Sequence, residues 1–191
     1  MRYDLILGLY LGCVSATSMA ETEQNHEGEH REFEAHEHGV AELNWVMEGQ
    51  ELSLSLHSPA VNMLGFEHRP QNEYENQQLS LLMTTLSNPD KLIELTGGQC
   101  ILSSANITNP FAVEVSDEKF DHGSSEESDH QHNDIIVEYN FLCQQPLQLE
   151  TLNIKLFDTF AGFELIHAQW IINDIQGGAA FNHDNHLLKV R

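Results

Sequence analysis

The sequence predicts an α+β fold of antiparallel sheets with one helix per half. Three observations carry that expectation. Two stretches flanking Glu48-Gly49-Gln50 alternate apolar and polar residues with period two, the pattern of a hairpin with one buried face. A stretch bounded by Pro70 and Pro89 repeats its apolar residues at helical spacing, and proline tends to close a helix at either side. After Asp134 the order strand, helix, strand recurs, which suggests two similar subdomains, 38–108 and 109–191.

The elements follow in chain order. Residues 1–20 carry Arg2, an apolar run from Leu5 to Val14 and small residues ending at Ala20. That is the form of a secretory signal peptide cleaved after Ala20. The run is too short for a permanent transmembrane helix, which takes about 20 apolar residues. A rival reading makes Cys13 a lipidated cysteine, but Tyr10 stands where such signals usually carry leucine. Residues 21–37 hold acids, histidines and glycine without an apolar pattern, so a flexible arm is expected before ordered structure starts near Gly39.

From Gly39, Ala41, Leu43, Trp45 and Met47 alternate against polar neighbours, and Leu52, Leu54 and Leu56 do so after the turn. The helix after Pro70 places Tyr74, Leu79, Leu82 and Leu86 on one face. "QCILSSANIT" reads as a strand carrying Cys100, and "PFAVEVS" and "IIVEYNFLC" as two more, separated by an acidic, histidine-bearing mobile loop at 117–134. Leu149, Leu152, Leu156 and Phe157 predict a second helix, and the remaining residues read as closing strands. If Ala20 ends the signal, Cys100 and Cys143 remain in an oxidising compartment, where a disulfide is expected.

With 30 acidic and 8 basic residues the chain has a formal net charge of −22. Such a surface repels phosphate backbones and anionic membranes, so nucleic acid and membrane insertion are not expected. It attracts cations, and the 12 histidines offer borderline ligands suited to zinc.

His26, Glu27 and His30 spell H-E-x-x-H, which in zinc hydrolases grips the metal from one helix face. Here Gly28 interrupts the segment, no apolar stripe flanks it, and Phe33 stands where the three-histidine proteases have a turning glycine. His36 and His38 adjoin the first strand, and residues two apart on a strand point to one side. With the turn at Glu48-Gly49-Gln50, His57 falls opposite the start of that strand, and Glu67 and His68 follow in a loop leaving from the same end. His36, His38, His57 and His68 are therefore expected to converge as zinc ligands, with Glu67 as ligand or as hydrogen-bond acceptor behind one. His122, His130 and His132 lie among Asp121, Glu126, Glu127, Asp129 and Asp134 and form an accessory metal-collecting loop. His167, within "ELIHAQWII", reads as core or sheet face. His183 and His186, in "NHDNH", read as a turn with ligand-type residues and no evident partner in sequence.

Read together, "HEHGVAELN", "SPAVNMLGFEHRP", the acidic loop and "NFLCQQPLQLETLNIKLFDTFAGFELIHAQWIINDIQGG" resemble the ZrgA family of periplasmic zinc-uptake proteins. The resemblance covers nearly the whole mature chain. It implies an accessory protein that binds zinc in the periplasm and helps supply a zinc ABC importer or its binding protein, without catalysis. The His36-x-His38-Gly39 start and Gly65-Phe66-Glu67-His68 match positions the family keeps. Two departures stand out: the loop has only three histidines where relatives carry long runs, which implies fewer or weaker loop-bound zinc ions, and Ala161-Gly162-Phe163 replaces a phenylalanine-proline pair.

Three functions of different class are open to the sequence: zinc binding and delivery, a secreted zinc hydrolase using His26, Glu27 and His30, and a structural or adhesive module. Imidazole binds zinc only when neutral, and an unperturbed histidine titrates near about 6.5. Zinc retained after dialysis is therefore expected to be far lower at pH 5 than at pH 7.5, whereas equal retention would point to carboxylate or thiolate ligands.

Overall fold

A computed structural model describes residues 37–112, 133–172 and 175–190. The signal segment, the arm with His26, Glu27, His30 and His36, and the loop stretch 113–132 with His122, His130 and His132 lie outside the described residues. The folded unit is built on a six-stranded sheet, ordered β4-β5-β2-β1-β7-β8, and a three-stranded sheet, ordered β3-β6-β9.

The expected hairpin forms from β1 (Val40–Glu48) and β2 (Glu51–Pro59), paired from Glu48↔Glu51 to Glu42↔His57. Its period-two pattern is read out directly. Leu43, Trp45, Leu52, Leu54 and Leu56 are all no more than 2 % exposed, while Glu42, Asn44 and Glu48 face solvent. Next to β2 lies β5 (Asp134–Cys143), antiparallel, and beyond it β4 (Cys100–Thr108). Cys100 and Cys143 are direct register partners and form the expected disulfide.

On the other side, β1 pairs with β7 (Leu165–Ile172) in parallel, and β7 with β8 (Ile175–Phe181) antiparallel. The large sheet is thus mixed, which corrects the expectation of purely antiparallel sheets. More than a hundred residues separate β1 from β7, ample for the long return that a parallel pair needs. Both sheets draw strands from either side of residue 109.

Helix α1 (Val61–Leu64) is a single turn after β2, and α2 (Glu73–Leu86) is the helix expected between the prolines. The Asn72 side chain caps α2 by accepting from Glu75 N at 2.9 Å, and the Glu75 carboxylate accepts in return from Gln71 N at 2.7 Å. This is close to a capping box, and it sets negative charge at the positive end of the helix dipole. Leu82 and Leu86 face the core, but Tyr74 is 69 % exposed. It lies in the first turn, beyond the reach of the sheet, and does not belong to the buried stripe.

The second predicted helix is not formed. Residues Thr151–Ile154 are strand β6, between β3 (Ile93–Thr96) and β9 (Leu187–Lys189), and only Leu156–Thr159 makes one helical turn, α3. Leu152 and Ile154 alternate with polar residues as well as fitting a helical stripe, and in so short a run strand pairing decides. Pro110 and Phe111 form a turn with Phe111 buried; the rest of that expected strand lies outside the described residues. On the second sheet, Lys155 Nζ lies 3.1 Å from Glu94 and holds that exposed carboxyl below the usual range.

One hydrogen bond ties helix to sheet. The buried Tyr139 hydroxyl of β5 donates to the carbonyl of Leu86 at the end of α2, and burial pushes the phenol above its ordinary pKa. Tyr139→Phe leaves that carbonyl facing an apolar ring, so urea denaturation is expected to show a loss of about 1–2 kcal/mol. An unchanged midpoint would mean that water replaces the hydroxyl.

Candidate metal centre

The pairing registers fix which strand ends share one edge. β1, β5 and β7 begin where β2, β4 and β8 end. At this end lie all the described histidines: His38 before β1, His57 near the end of β2, His68 after α1, His167 near the start of β7, and His183 and His186 after β8.

The short linker through α1 is held there by Asn62, which is 3 % exposed. Its side-chain oxygen accepts from Gly39 N at 2.7 Å, and its amide donates to Val40 O at 2.8 Å and Ser58 Oγ at 3.1 Å. One carboxamide thus joins the entry to β1 with the exit from β2. Gly39 has φ +86°, and a Cβ there would lie 3.0 Å from Glu164 Cγ, so neither its conformation nor its space suits another residue. Its carbonyl accepts from Glu164 N and Leu165 N, at 2.8 and 3.0 Å, which anchors the start of β7. Gly162 lets two backbones meet: a Cβ would come within 2.4 Å of Asn62 O.

On this frame the imidazoles are placed one by one. His38 Nε2 lies 3.1 Å from Glu67 Oε2. The carbonyl of Glu67 accepts from the Asn133 side chain, and Asn133 O accepts from Ala60 N at 2.9 Å, so the 66–68 loop is laced to the start of β5. The next residue, Asp134, brings Oδ2 within 2.8 Å of His57 Nε2. His68 stacks on Phe66 with centroids 5.1 Å apart, and its Nδ1 lies 3.1 Å from Arg69 O and 3.8 Å from Glu75 Oε2. His167 is exposed on the outer sheet face, directly beside Glu42 in the register.

Carboxylates and carbonyls only accept hydrogen bonds near neutral pH, so the imidazole nitrogen facing each one carries the proton. In the neutral ring the other nitrogen then presents a lone pair. His38 would offer Nδ1, and His68 Nε2. A carboxylate or carbonyl behind the ring is the usual support for a metal-bound histidine. In this arrangement Glu67 stands behind His38 as acceptor. Among the described residues no three metal-binding side chains are already gathered about one point, so a cation here would draw side chains inward.

Sequence reasoning brought His38, His57, Glu67 and His68 to the end where they lie, but missed three neighbours. Asp134, grouped with the acidic loop, is the first residue of β5. Its position directly before the β-branched run Ile135-Ile136-Val137 is the signal that would have placed it. Asn133 and Asn62 carry no signal that separates them from other asparagines.

A family model described as ZrgA family zinc uptake protein matches residues 35–190. The chain belongs to the ZrgA family. The match spans the whole described fold, and it starts beyond His26, Glu27 and His30. No curated protein matches the chain. Among the described residues no helix is long and apolar enough to cross a membrane.

Asn62→Ala leaves Gly39 N and Val40 O without their buried partner. The expected cost is about 3 kcal/mol, read from the denaturation midpoint. A wild-type midpoint would show that the carboxamide does not organise this end.

Proposed function

We propose that the protein is a non-catalytic periplasmic zinc carrier that captures the ion at the histidine-bearing end of its large sheet and passes it to a zinc importer or to that importer's binding protein. The observation that carries this reading is the pair of carboxylate-backed imidazoles, His38 with Glu67 and His57 with Asp134, brought to one sheet end by the Asn62 and Asn133 bridges. Membership of a zinc uptake family supports the choice of metal.

The chemistry suits cargo rather than a structural ion. Imidazole nitrogens are borderline ligands with good affinity for zinc, and the side chains of His38 and His57 are 65 % and 42 % exposed. A partner can therefore reach the ion and compete for it. His36, one residue before the described chain, and His68 complete the proposed set around His38 and His57. The segment bearing His122, His130 and His132 connects β4 to β5, both of which open at this same end. Its acids and imidazoles would raise the local zinc concentration and feed the folded site. With a net charge of −22 the whole surface favours cation approach.

Zinc titration by calorimetry on residues 21–191 tests the reading. The H38A/H57A variant is expected to lose the tightest binding step, while deletion of residues 113–132 removes only weaker ones. Equal isotherms for all three proteins would place the cargo site elsewhere. Removing residues 21–32 is expected to leave the tight step intact, which a hydrolase built on His26, Glu27 and His30 would not allow.

A further inference from the structure

The turn after β8 carries a second ligand pair that the reading above does not use. Asn182 and Asn185 exchange backbone hydrogen bonds of 2.9 and 3.1 Å across His183 and Asp184, and the Asn182 side chain accepts from the backbone of both Asp184 and Asn185 at 3.0 Å. The turn is thereby closed by four hydrogen bonds within four residues. His183 Nε2 reaches Phe163 O at 3.1 Å, and His186 Nδ1 reaches His183 O at 3.0 Å. Both rings lean on the buried ring of Phe157, with centroids 5.2 and 6.1 Å away.

The two carbonyls decide the tautomers. Each can only accept, so His183 carries its proton on Nε2 and His186 on Nδ1. That leaves Nδ1 of His183 and Nε2 of His186 as lone-pair donors. Both rings are already oriented by a carbonyl and packed on an aromatic face, the support a ligating imidazole needs. Only Asp184 and Asn185 separate the two imidazoles, and both rings lie on the same closed turn. Asp184 between them adds a negative charge.

We propose that His183 and His186 form a second, separate zinc site, an open one in which two imidazoles hold the ion and water completes its coordination. No third protein ligand is gathered there among the described residues, so the ion is held less tightly than in a closed three- or four-ligand site and exchanges readily. The pair shares the sheet end with His38 and His57 but none of their side chains. Its occupancy does not depend on theirs.

Long-range proton–nitrogen NMR of the histidine rings in residues 21–191, with zinc chloride as probe, tests this directly. Before metal, His183 should appear as the Nε2–H form and His186 as the Nδ1–H form. At zinc saturation the Nδ1 signal of His183 and the Nε2 signal of His186 should move together, in the wild type and equally in H38A/H57A. In H183A/H186A the zinc bound per chain should fall by one ion. Should that variant fail to fold, H183Q/H186Q keeps an amide donor for each carbonyl and serves for the same count. Unmoved ring signals at saturation, or an unchanged zinc count, overturn the proposal. Because H38A/H57A is read in the same experiment, failure of the carboxylate-backed site is seen separately from failure of this pair.

Discussion

The architecture of the histidine-bearing end depends on one buried carboxamide. Asn62 belongs to a helix of a single turn that could not hold its own position, because a turn that short gains too little from its own hydrogen bonds. Its side chain fastens that turn to the entry of β1 and the exit of β2, and the close backbone contact at Gly162 fixes it from a third side. A buried amide that lost these partners would cost more than the hydrogen bonds themselves contribute, since polar groups on both sides would be left dry. The arrangement is therefore specific as well as stabilising, because the three bonds hold Asn62 to the start of β1 and the end of β2 at once.

From that placement the rest of the site follows. Gly65, at φ +80°, ends α1 in the left-handed region and turns the chain toward Phe66, Glu67 and His68. Glu67 meets His38 because Gly39 is pinned beside Asn62, and the Glu67 backbone meets Asn133 because β5 starts next to the end of β2. The acceptors behind the imidazoles orient the rings and select which nitrogen carries the proton. Side chains supported from behind in this way can close around an ion that binds them.

The hairpin, α2, the core leucines and the disulfide were all legible in the sequence, because each rests on a simple pattern: period-two alternation, bracketing prolines, or the two cysteines left once a signal segment is set aside. The failures also have local causes. Leu149, Leu152, Leu156 and Phe157 fit a helical stripe, but four residues from Thr151 to Ile154 had two strands to pair with, and tertiary partners outweigh propensity in runs that short. The parallel pairing of β1 and β7 joins segments more than a hundred residues apart, and no local signal records it. For the site, hairpin register was enough to bring His38 and His57 to one end. Asp134 was lost because composition merged it with the acidic loop, although it starts a strand.

The disulfide joins β4 and β5 at Cys100 and Cys143, and Cys143 lies nine residues along β5 from Asp134. At the rise of an extended strand that is a separation of about 30 Å. The two cysteines of the described fold are joined as a clasp at the far end of the sheet, away from the histidines. The disulfide and the histidines thus occupy opposite ends of the sheet. On the zinc-carrier reading, opening the clasp would leave the proposed histidine ligands the same in kind, and reduced copper, which favours thiolate, would find no cysteine beside them among the described residues.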